Sequence, residues 1–210
     1  MTALAIFAKA PVPGQCKTRL MPLMSAEAAA GVHQQLVLRT LNTALESQLS
    51  PVQLWCAGDR DHPFLIEISR RFGVERFQQQ GSDLGERIIH LFNTHQTPLL
   101  LIGSDCPVLT PELLQRCAAE LKTHDAVFLP AEDGGYALVG LNQPQPELFR
   151  GVEWGSGRVM TQTREHLQRL QLSWSELEQV WDVDRPEDYQ RARQMLESFP
   201  VLALVPRIKA

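Results

Sequence analysis

Residues 3–20 have the sequence ALAIFAKAPVPGQCKTRL, a short apolar run followed by a basic loop that contains proline and glycine. The apolar part, Ala3–Ala8, predicts a buried first strand. The loop holds two of the chain's four lysines, Lys9 and Lys17, together with Arg19. Between a strand and a helix, backbone N–H groups, the positive helix end and basic side chains can together hold a phosphate. The spacing fits neither a P-loop nor a Gly-x-Gly-x-x-Gly fingerprint, so the stretch indicates a nucleotide or phosphate ligand of a different class.

Strand and helix patterns alternate from this loop to the end of the chain. This order predicts the α/β class, with a mostly parallel mixed sheet between two helix layers. We expect a single domain over residues 1–200 and a tail at 201–210. Further strands are predicted at Val52–Ala57, Val74–Gln79, Pro98–Gly103, Ala126–Pro130 and Tyr136–Leu141, and helices at Ser25–Leu49, His62–Phe72, Asp83–Asn93, Gly157–Leu170 and Pro186–Ser198, with one more that Thr110 caps and Pro111 begins.

Bulk properties exclude several classes of protein. The chain has 210 residues and a net charge of −4, so its length fits one α/β domain and its charge gives no support to nucleic-acid binding. The longest apolar runs are strand-sized, which predicts no membrane span and a cytoplasmic protein. The four cysteines lack a Cys-x-x-Cys pair, so we expect free thiols, with Cys106 as a packing residue rather than a nucleophile. The histidines lack metal-ligand spacing, and most are expected at the surface.

Polar residues cluster where the predicted strands end. The basic loop follows the first strand, Ser104 and Asp105 follow the most apolar strand, and Asp133 lies in a glycine-rich turn before the strand that begins at Tyr136. In sheets of this class, ligands bind beyond the carboxyl ends of the strands. The coincidence of the clusters predicts one binding site at that edge.

Two acidic segments could bind a divalent cation. A hard ion takes oxygen ligands and often bridges to substrate phosphates, so one or two protein carboxylates suffice. Asp105 suits that role, and its alternative role is to cap the following turn. Asp182 and Asp184, just before the last helix, could meet Asp105 across the same ion, while their alternative role is to cap that helix. Oxygen ligands favour Mg²⁺ or Mn²⁺.

Two further motifs leave both a structural and a functional interpretation open. The Asp133-Gly134-Gly135 turn suits either a close approach of backbone to a ligand or a plain hairpin. The segment that contains Asp83 and Arg87 is either a capped helix start or a contact to a nucleobase or ribose.

Together these motifs resemble the DUF2064 family of glycosyltransferases, also called transferase 1 of the radical-SAM/selenodomain-associated group. The family pattern runs F-x-K-x-P-x-x-G-x-x-K-T-R-L, G-x-D-L-G-E-R, G-S-D-C-P, D-G-G-Y-x-L-V-G-L and D-x-D-T-P-E-D. This chain matches it in order at Phe7–Leu20, Gly81–Arg87, Gly103–Pro107, Asp133–Leu141 and Asp182–Asp188. It departs at Trp154-Gly155-Ser156-Gly157, where Trp-Ser-Thr is usual, and at Arg185, which replaces threonine.

The resemblance implies a nucleotide-diphospho-sugar transferase fold of the GT-A type and a metal-dependent glycosyl transfer from a nucleoside diphosphate sugar to an unidentified small acceptor. The residues that it implies for the nucleotide are Lys9, Gly14, Lys17, Arg19, Asp83, Arg87 and Ser104. Asp105 would be the metal-binding acid, with Asp184 or Asp182 as second ligand. Glu132 and Asp133 would face the acceptor, Asp133 as the base, and Lys17 would stabilise the leaving diphosphate.

Two other functions remain open at this point. The Pro-x-x-Gly-x-x-Lys-Thr-Arg-Leu loop also resembles that of phospholactate guanylyltransferases, in which Lys17 would stabilise an attacked α-phosphate and pyrophosphate would leave. The other alternative is a non-catalytic nucleotide-sugar-binding protein.

Overall fold

The computed structural model describes residues 2–95 and 98–198. Both the domain boundary predicted at residue 200 and the tail at 201–210 lie outside these residues. Within them, seven strands form one sheet in the order β3-β2-β1-β4-β6-β5-β7. The strands are β1 Ala3–Lys9, β2 Val52–Ala57, β3 Glu75–Gln78, β4 Leu99–Gly103, β5 Ala126–Pro130, β6 Tyr136–Leu141 and β7 Trp174–Glu176.

The sheet is mixed because one strand runs against the others. The first four strands pair in parallel, whereas β6 is antiparallel to both β4 and β5. The turn with Asp133 therefore closes a β5–β6 hairpin, which is the structural one of the two interpretations left open by the sequence. Strand β7, which pairs in parallel with β5, was not predicted, because the three residues Trp-Ser-Glu carry no strand pattern of their own.

The described residues include six helices, of which five connect strands and the last follows the final strand. A side chain that precedes the helix caps four of them. The helices are α1 Ala26–Glu46, α2 Pro63–Phe72, α3 Leu84–Thr94, α4 Pro111–Glu120, α5 Val159–Arg169 and α6 Pro186–Ser198. The side chains of Ser25, His62, Asp83 and Thr110 accept hydrogen bonds from the first turns of α1 to α4, as N-caps do. Helix α1 ends three residues before the predicted limit, and α5 begins two residues later than predicted.

Helices cover both faces of the sheet, which confirms the three-layer α/β/α prediction. On β1, Leu4 and Ile6 pack into a core with α1, α2 and α4, whereas Ala3 and Ala5 pack into a second core with α3 and α5. This alternation follows from the two-residue period of a strand. A third cluster joins Leu20 and the buried face of α1 to α6. No helix in the described ranges is long and apolar enough to cross a bilayer.

Candidate active site

Four chain segments meet at the carboxyl edge of the sheet. The basic loop follows β1, Asp105 follows β4, Asp133 lies in the β5–β6 hairpin, and residues 181–184 precede α6. The backbone joins two of these segments directly, since Val183 N donates to Asp105 O over 2.9 Å. The structure therefore brings together the acidic and basic clusters that the sequence placed at one edge.

The basic loop does not lead straight into helix α1. Lys17 has a left-handed conformation with φ 49°, after which Thr18–Leu20 form a 3₁₀ turn. Helix α1 begins only at Ala26, with Ser25 as its N-cap. The positive N-terminus of α1, which we expected directly after the loop, thus lies further along the chain. The groups that the loop itself offers to a phosphate are its backbone N–H groups and its basic side chains.

Lys17 and Asp105 form the central ion pair of the site. Lys17 Nζ lies 2.8 Å from Asp105 Oδ1 and donates to Val183 O over 2.6 Å. Only 5% of the Lys17 side chain is exposed, against 44% of the Asp105 side chain. Because Asp105 Oδ1 is buried, Oδ2 is the carboxylate oxygen that solvent reaches.

Neighbouring groups stabilise the ionised form of Asp105. Burial by itself would raise the pKa of Asp105, but the Lys17 ammonium and the imidazole of His33 outweigh it and hold that pKa well below its ordinary value. Asp105 is therefore ionised at neutral pH, with one oxygen fixed to the protein and the other available to a ligand.

Sequence analysis missed His33. This residue on α1 is buried, and its Nε2 lies 2.9 Å from Lys9 O while its Nδ1 lies 3.7 Å from Asp105 Oδ1. The signal that could have found it is helical spacing, because Ala29, His33 and Leu36 lie on the same buried face of α1.

Asp182 lies in a strongly negative environment. Burial and the negative charges of Asp105, Asp133 and Asp184 raise its pKa to about 7, and the charge of Lys17 offsets only part of that effect. Both the protonated and the ionised form of Asp182 are thus accessible at neutral pH. A cation placed among these carboxylates would favour its ionised form.

Asp184 lies between an arginine and a helix start. Its carboxylate forms an ion pair with Arg19, whose side chain is largely exposed. Its backbone N–H and that of Arg185 both donate to Asp188 Oδ2, over 3.1 and 2.8 Å. Asp188, in the first turn of α6, therefore fixes the backbone that enters the helix, which is the reciprocal half of a capping box.

A polar cleft of about 410 Å³ opens beside these residues. Five acidic side chains and two arginines line it, together with Gly155, Gly157 and Trp181; the charged residues are Glu132, Asp133, Asp182, Asp184, Asp188, Arg19 and Arg185. Asp133 Oδ1 accepts from Gly135 N over 2.9 Å, which holds its carboxylate in the turn at the cleft wall.

The other residues predicted to bind the nucleotide near this loop differ in their exposure. Lys9 Nζ donates to Gln15 O over 2.7 Å and is exposed, and Gly14 is exposed with φ 75°. Ser104 is buried, and its carbonyl accepts from Thr40. Lys9 and Gly14 are therefore open to a ligand, whereas Ser104 could contribute only beneath the surface.

Asp83 lines a neighbouring cleft, and Arg87 lies on α3, the helix that Asp83 caps. Asp83 Oδ1 caps α3 by accepting from Glu86 N over 2.8 Å, and Arg87 Nε donates to Gly81 O over 3.1 Å. Asp83 lines a second cleft of about 560 Å³, together with His90, Arg150 and Trp154. The structure thus shows the capped helix start and leaves the proposed nucleotide contact as a prediction.

The cysteine next to Asp105 is a buried thiol. Cys106 is buried, and burial together with the charge of Asp182 raises its pKa to about 12, so its thiol stays protonated. All four cysteines are free and buried. These features fit the packing role predicted for Cys106.

The donor set suits a hard divalent ion. No group of three or more His, Cys, Asp or Glu side chains in residues 2–95 and 98–198 is arranged around one metal position. Mg²⁺ in nucleotide enzymes is held by one or two carboxylates together with phosphate oxygens and water. Asp105 and Asp182 supply two mutually repelling carboxylates, and a cation between them would relieve that repulsion.

Solved structures share this fold. A candidate nucleotide-diphospho-sugar transferase from Desulfovibrio desulfuricans G20 is 30% identical, with a TM-score of 0.81, and the match covers 95% of this chain and 89% of that one. Two more distant structures show the fold alone. A CMP:2-keto-3-deoxy-manno-octonic acid synthetase in complex with CTP is 10% identical (TM-score 0.60, 93% and 98% covered), and a manganese complex of Rv0371c from Mycobacterium tuberculosis H37Rv is 15% identical (TM-score 0.53, 94% and 98% covered).

Sequence comparison identifies the family. No curated protein matches the chain. The family model of DUF2064, described as an uncharacterized protein conserved in bacteria, matches residues 40–156. That range contains the Asp83, Asp105 and Asp133 motifs. The chain therefore belongs to the DUF2064 family and has the fold of the nucleotide-diphospho-sugar transferases.

Proposed function

We propose that this protein is a glycosyltransferase that uses a nucleoside diphosphate sugar and a divalent metal ion. The observation that carries the proposal is the arrangement around Asp105. One oxygen of this ionised carboxylate is fixed by Lys17, the other is open, and Asp182 lies close enough for the two charges to interact. An acidic residue after the central strand, beside a basic loop, is what a metal-bridged diphosphate needs.

The metal ligands that we assign are Asp105 and, from the segment before α6, Asp182 or Asp184. When bound, Mg²⁺ or Mn²⁺ would neutralise charge on the leaving diphosphate. The acidic excess of the cleft supports a cation, because five carboxylates line it, of which Glu132 and Asp184 are in ion pairs with Arg191 and Arg19.

The basic loop would bind the diphosphate. Arg19 is largely exposed in its ion pair with Asp184, so it can turn toward a phosphate at little cost. Lys9 and the exposed backbone at Gly14 add a second cation and N–H donors. Lys17 would fix Asp105 and add positive charge beside the leaving group.

The acceptor would enter through the 410 Å³ cleft. Asp133 lies on the cleft wall and keeps one carboxylate oxygen free of its turn hydrogen bond. It is therefore our candidate for the base that removes the proton of an acceptor hydroxyl. Asp83 and Arg87, on α3, are the candidates for contacts to the base or ribose.

The relatives support this assignment at a coarser level. The 30% identical structure is described as a nucleotide-diphospho-sugar transferase, and fold neighbours have been solved with CTP and with manganese. Nucleotide binding at the same edge of the sheet is therefore the first property to test.

Calorimetry tests the proposal directly. UDP, GDP, CDP, GTP and CTP are titrated into the wild type with Mn²⁺ or Mg²⁺, and again with EDTA. We expect one diphosphate to bind in a metal-dependent way and Asp105→Asn to abolish that binding. Asp125→Asn is the matched control, because the Asp125 carboxylate accepts from Ser173 at the far end of β5.

Turnover then separates the candidate reactions. Release of the nucleoside diphosphate from its sugar, in the presence of an acceptor panel, supports glycosyl transfer. Preference for a triphosphate with release of pyrophosphate would instead make the protein a nucleotidyltransferase. Full metal-dependent turnover by Asp105→Asn would refute the site as assigned.

A further inference from the structure

His33 lies between the two halves of the proposed site. It is only 4% exposed, on the face of α1 that packs toward the sheet. Its Nε2 is 2.9 Å from the carbonyl oxygen of Lys9, in the basic loop. Its Nδ1 is 3.7 Å from Oδ1 of Asp105, after β4. A single buried ring thus contacts both the loop that would hold the diphosphate and the acid that would hold the metal.

Hydrogen-bonding roles fix the ring's orientation. A backbone carbonyl can only accept, so His33 Nε2 carries the hydrogen and donates to Lys9 O. Nδ1 has no hydrogen-bond partner among the described residues, and Asp105 Oδ1, which faces it, is equally buried. Buried polar atoms without partners are uncommon and call for an explanation. A hydrogen on Nδ1 would point at Asp105 Oδ1, 3.7 Å away, and that contact would hold the ring and the carboxylate in place.

We propose that His33 is a positioning residue that couples the basic loop to Asp105 and turns the free oxygen of Asp105 toward the metal. The inference rests on the proposed function, since it assigns His33 a role in the same site. With Lys17 and His33 both directed at Oδ1, the carboxylate has one outward oxygen, Oδ2. Groups that orient a ligand in this way are worth about 10–100-fold in metal affinity.

Two conservative variants separate the two contacts of the ring. The amide nitrogen of glutamine lies roughly where Nε2 lies, so His33→Gln keeps the bond to Lys9 O and loses the group that faces Asp105. The amide nitrogen of asparagine lies roughly where Nδ1 lies, so His33→Asn does the reverse. Thr43→Val is the control, because Thr43 is another buried polar residue of α1 and belongs to no part of the proposed site.

The first measurement is Mn²⁺ binding by calorimetry, in the presence of UDP or GDP, with thermal unfolding recorded for each variant. We expect His33→Gln to weaken Mn²⁺ binding at least 10-fold, and His33→Asn and Thr43→Val to stay within about 3-fold of the wild type. The inference is overturned if His33→Gln binds Mn²⁺ like the wild type, or if both His33 variants lose affinity only in proportion to lost thermal stability.

A second measurement needs neither metal nor nucleotide. The ring nitrogens of ¹⁵N-labelled histidine are observed by NMR at one fixed pH. We expect the His33 Nδ1 resonance to move in Asp105→Asn and to stay in place in Asp125→Asn. A wild type that binds no Mn²⁺ with either nucleotide would refute the proposed function, and the NMR result would still decide the contact, because an unmoved resonance overturns it.

Discussion

At the scale of single residues, the site depends on ion pairs that lie at different depths. The Lys17 ammonium is buried against one oxygen of Asp105, whereas Arg19 and Asp184 form a similar pair in solvent. A buried charge that loses its partner costs far more than an exposed one, because water cannot replace the lost interaction. The two pairs should therefore respond very differently to the same substitution.

Lys17→Met should destabilise the fold by about 1–3 kcal/mol, because it leaves the buried oxygen of Asp105 without the lysine, while solvent at the other oxygen screens part of the charge. Arg19→Met, the matched control, should cost at most about 1 kcal/mol. Urea unfolding at pH 7 measures both. The double variant Lys17→Met/Asp105→Asn should recover much of the loss, since the uncompensated charge is gone. Equal losses in the single and double variants would show that packing of the lysine stem, rather than charge, is what matters.

The pKa of Asp182 predicts how stability depends on pH. Its rise from 3.8 to about 7 means that the folded chain binds this proton more tightly than the unfolded chain. Its stabilising contribution is complete below about pH 4 and is lost as the pH rises through 7. Asp182→Asn cannot ionise, so it should be more stable than the wild type at pH 8, by an amount on the order of 4 kcal/mol at about 1.4 kcal/mol per pKa unit.

Free energies of unfolding measured from pH 4 to pH 8 test this expectation. The gain from Asp182→Asn should be small at pH 4, should increase steadily up to about pH 7 and should level off above it. Asp125→Asn, at the other end of the sheet, provides the reference profile. Parallel pH profiles for the Asp182 variant and the wild type would contradict the raised pKa.

At the scale of elements, glycines let the loops of the site approach one another. Gly134, in the β5–β6 hairpin, has φ 87°, and a Cβ there would collide with the carbonyl oxygen of Gly157. Gly134 O also accepts from Met160 N over 2.8 Å, which ties the hairpin to the first turn of α5. The hairpin that carries Asp133 is thereby fixed against the loop at 154–157, so its glycine serves packing as well as turn geometry.

Gly134→Ala should therefore lower the stability of the fold by more than the backbone strain of a left-handed alanine. Gly155→Ala is the matched control, since Gly155 has φ 78° with open space around its missing Cβ. We expect about 1–2 kcal/mol of left-handed strain at Gly155 and at least twice that loss at Gly134, where backbone must also move. Thermal unfolding compares the two, and similar losses would mean that the hairpin can shift freely away from α5.

At the scale of the whole molecule, local patterns in the sequence sufficed for most of the fold. Helix caps such as Thr110-Pro111 and apolar runs such as residues 99–103 determine their elements locally, and alternation of strands and helices implies the layers. The antiparallel direction of β6 and the edge strand β7 depend on pairing partners far along the chain. The site shows the same division, because its acids could be found by position, whereas the contacts among Lys17, Asp105 and His33 exist only after folding.

Because the site is assembled from loops that are distant in sequence, a ligand bound there should stabilise the whole chain. A ligand that binds only the folded state adds about 2.7 kcal/mol at a concentration 100 times its Kd. We expect Mn²⁺ with the preferred nucleoside diphosphate to raise the melting temperature, and EDTA to reverse the rise. Asp105→Asn should lose the effect and Asp125→Asn should keep it. A rise that survives in Asp105→Asn would mean that the nucleotide binds elsewhere, and the 560 Å³ cleft beside Asp83 would then be the place to search for it.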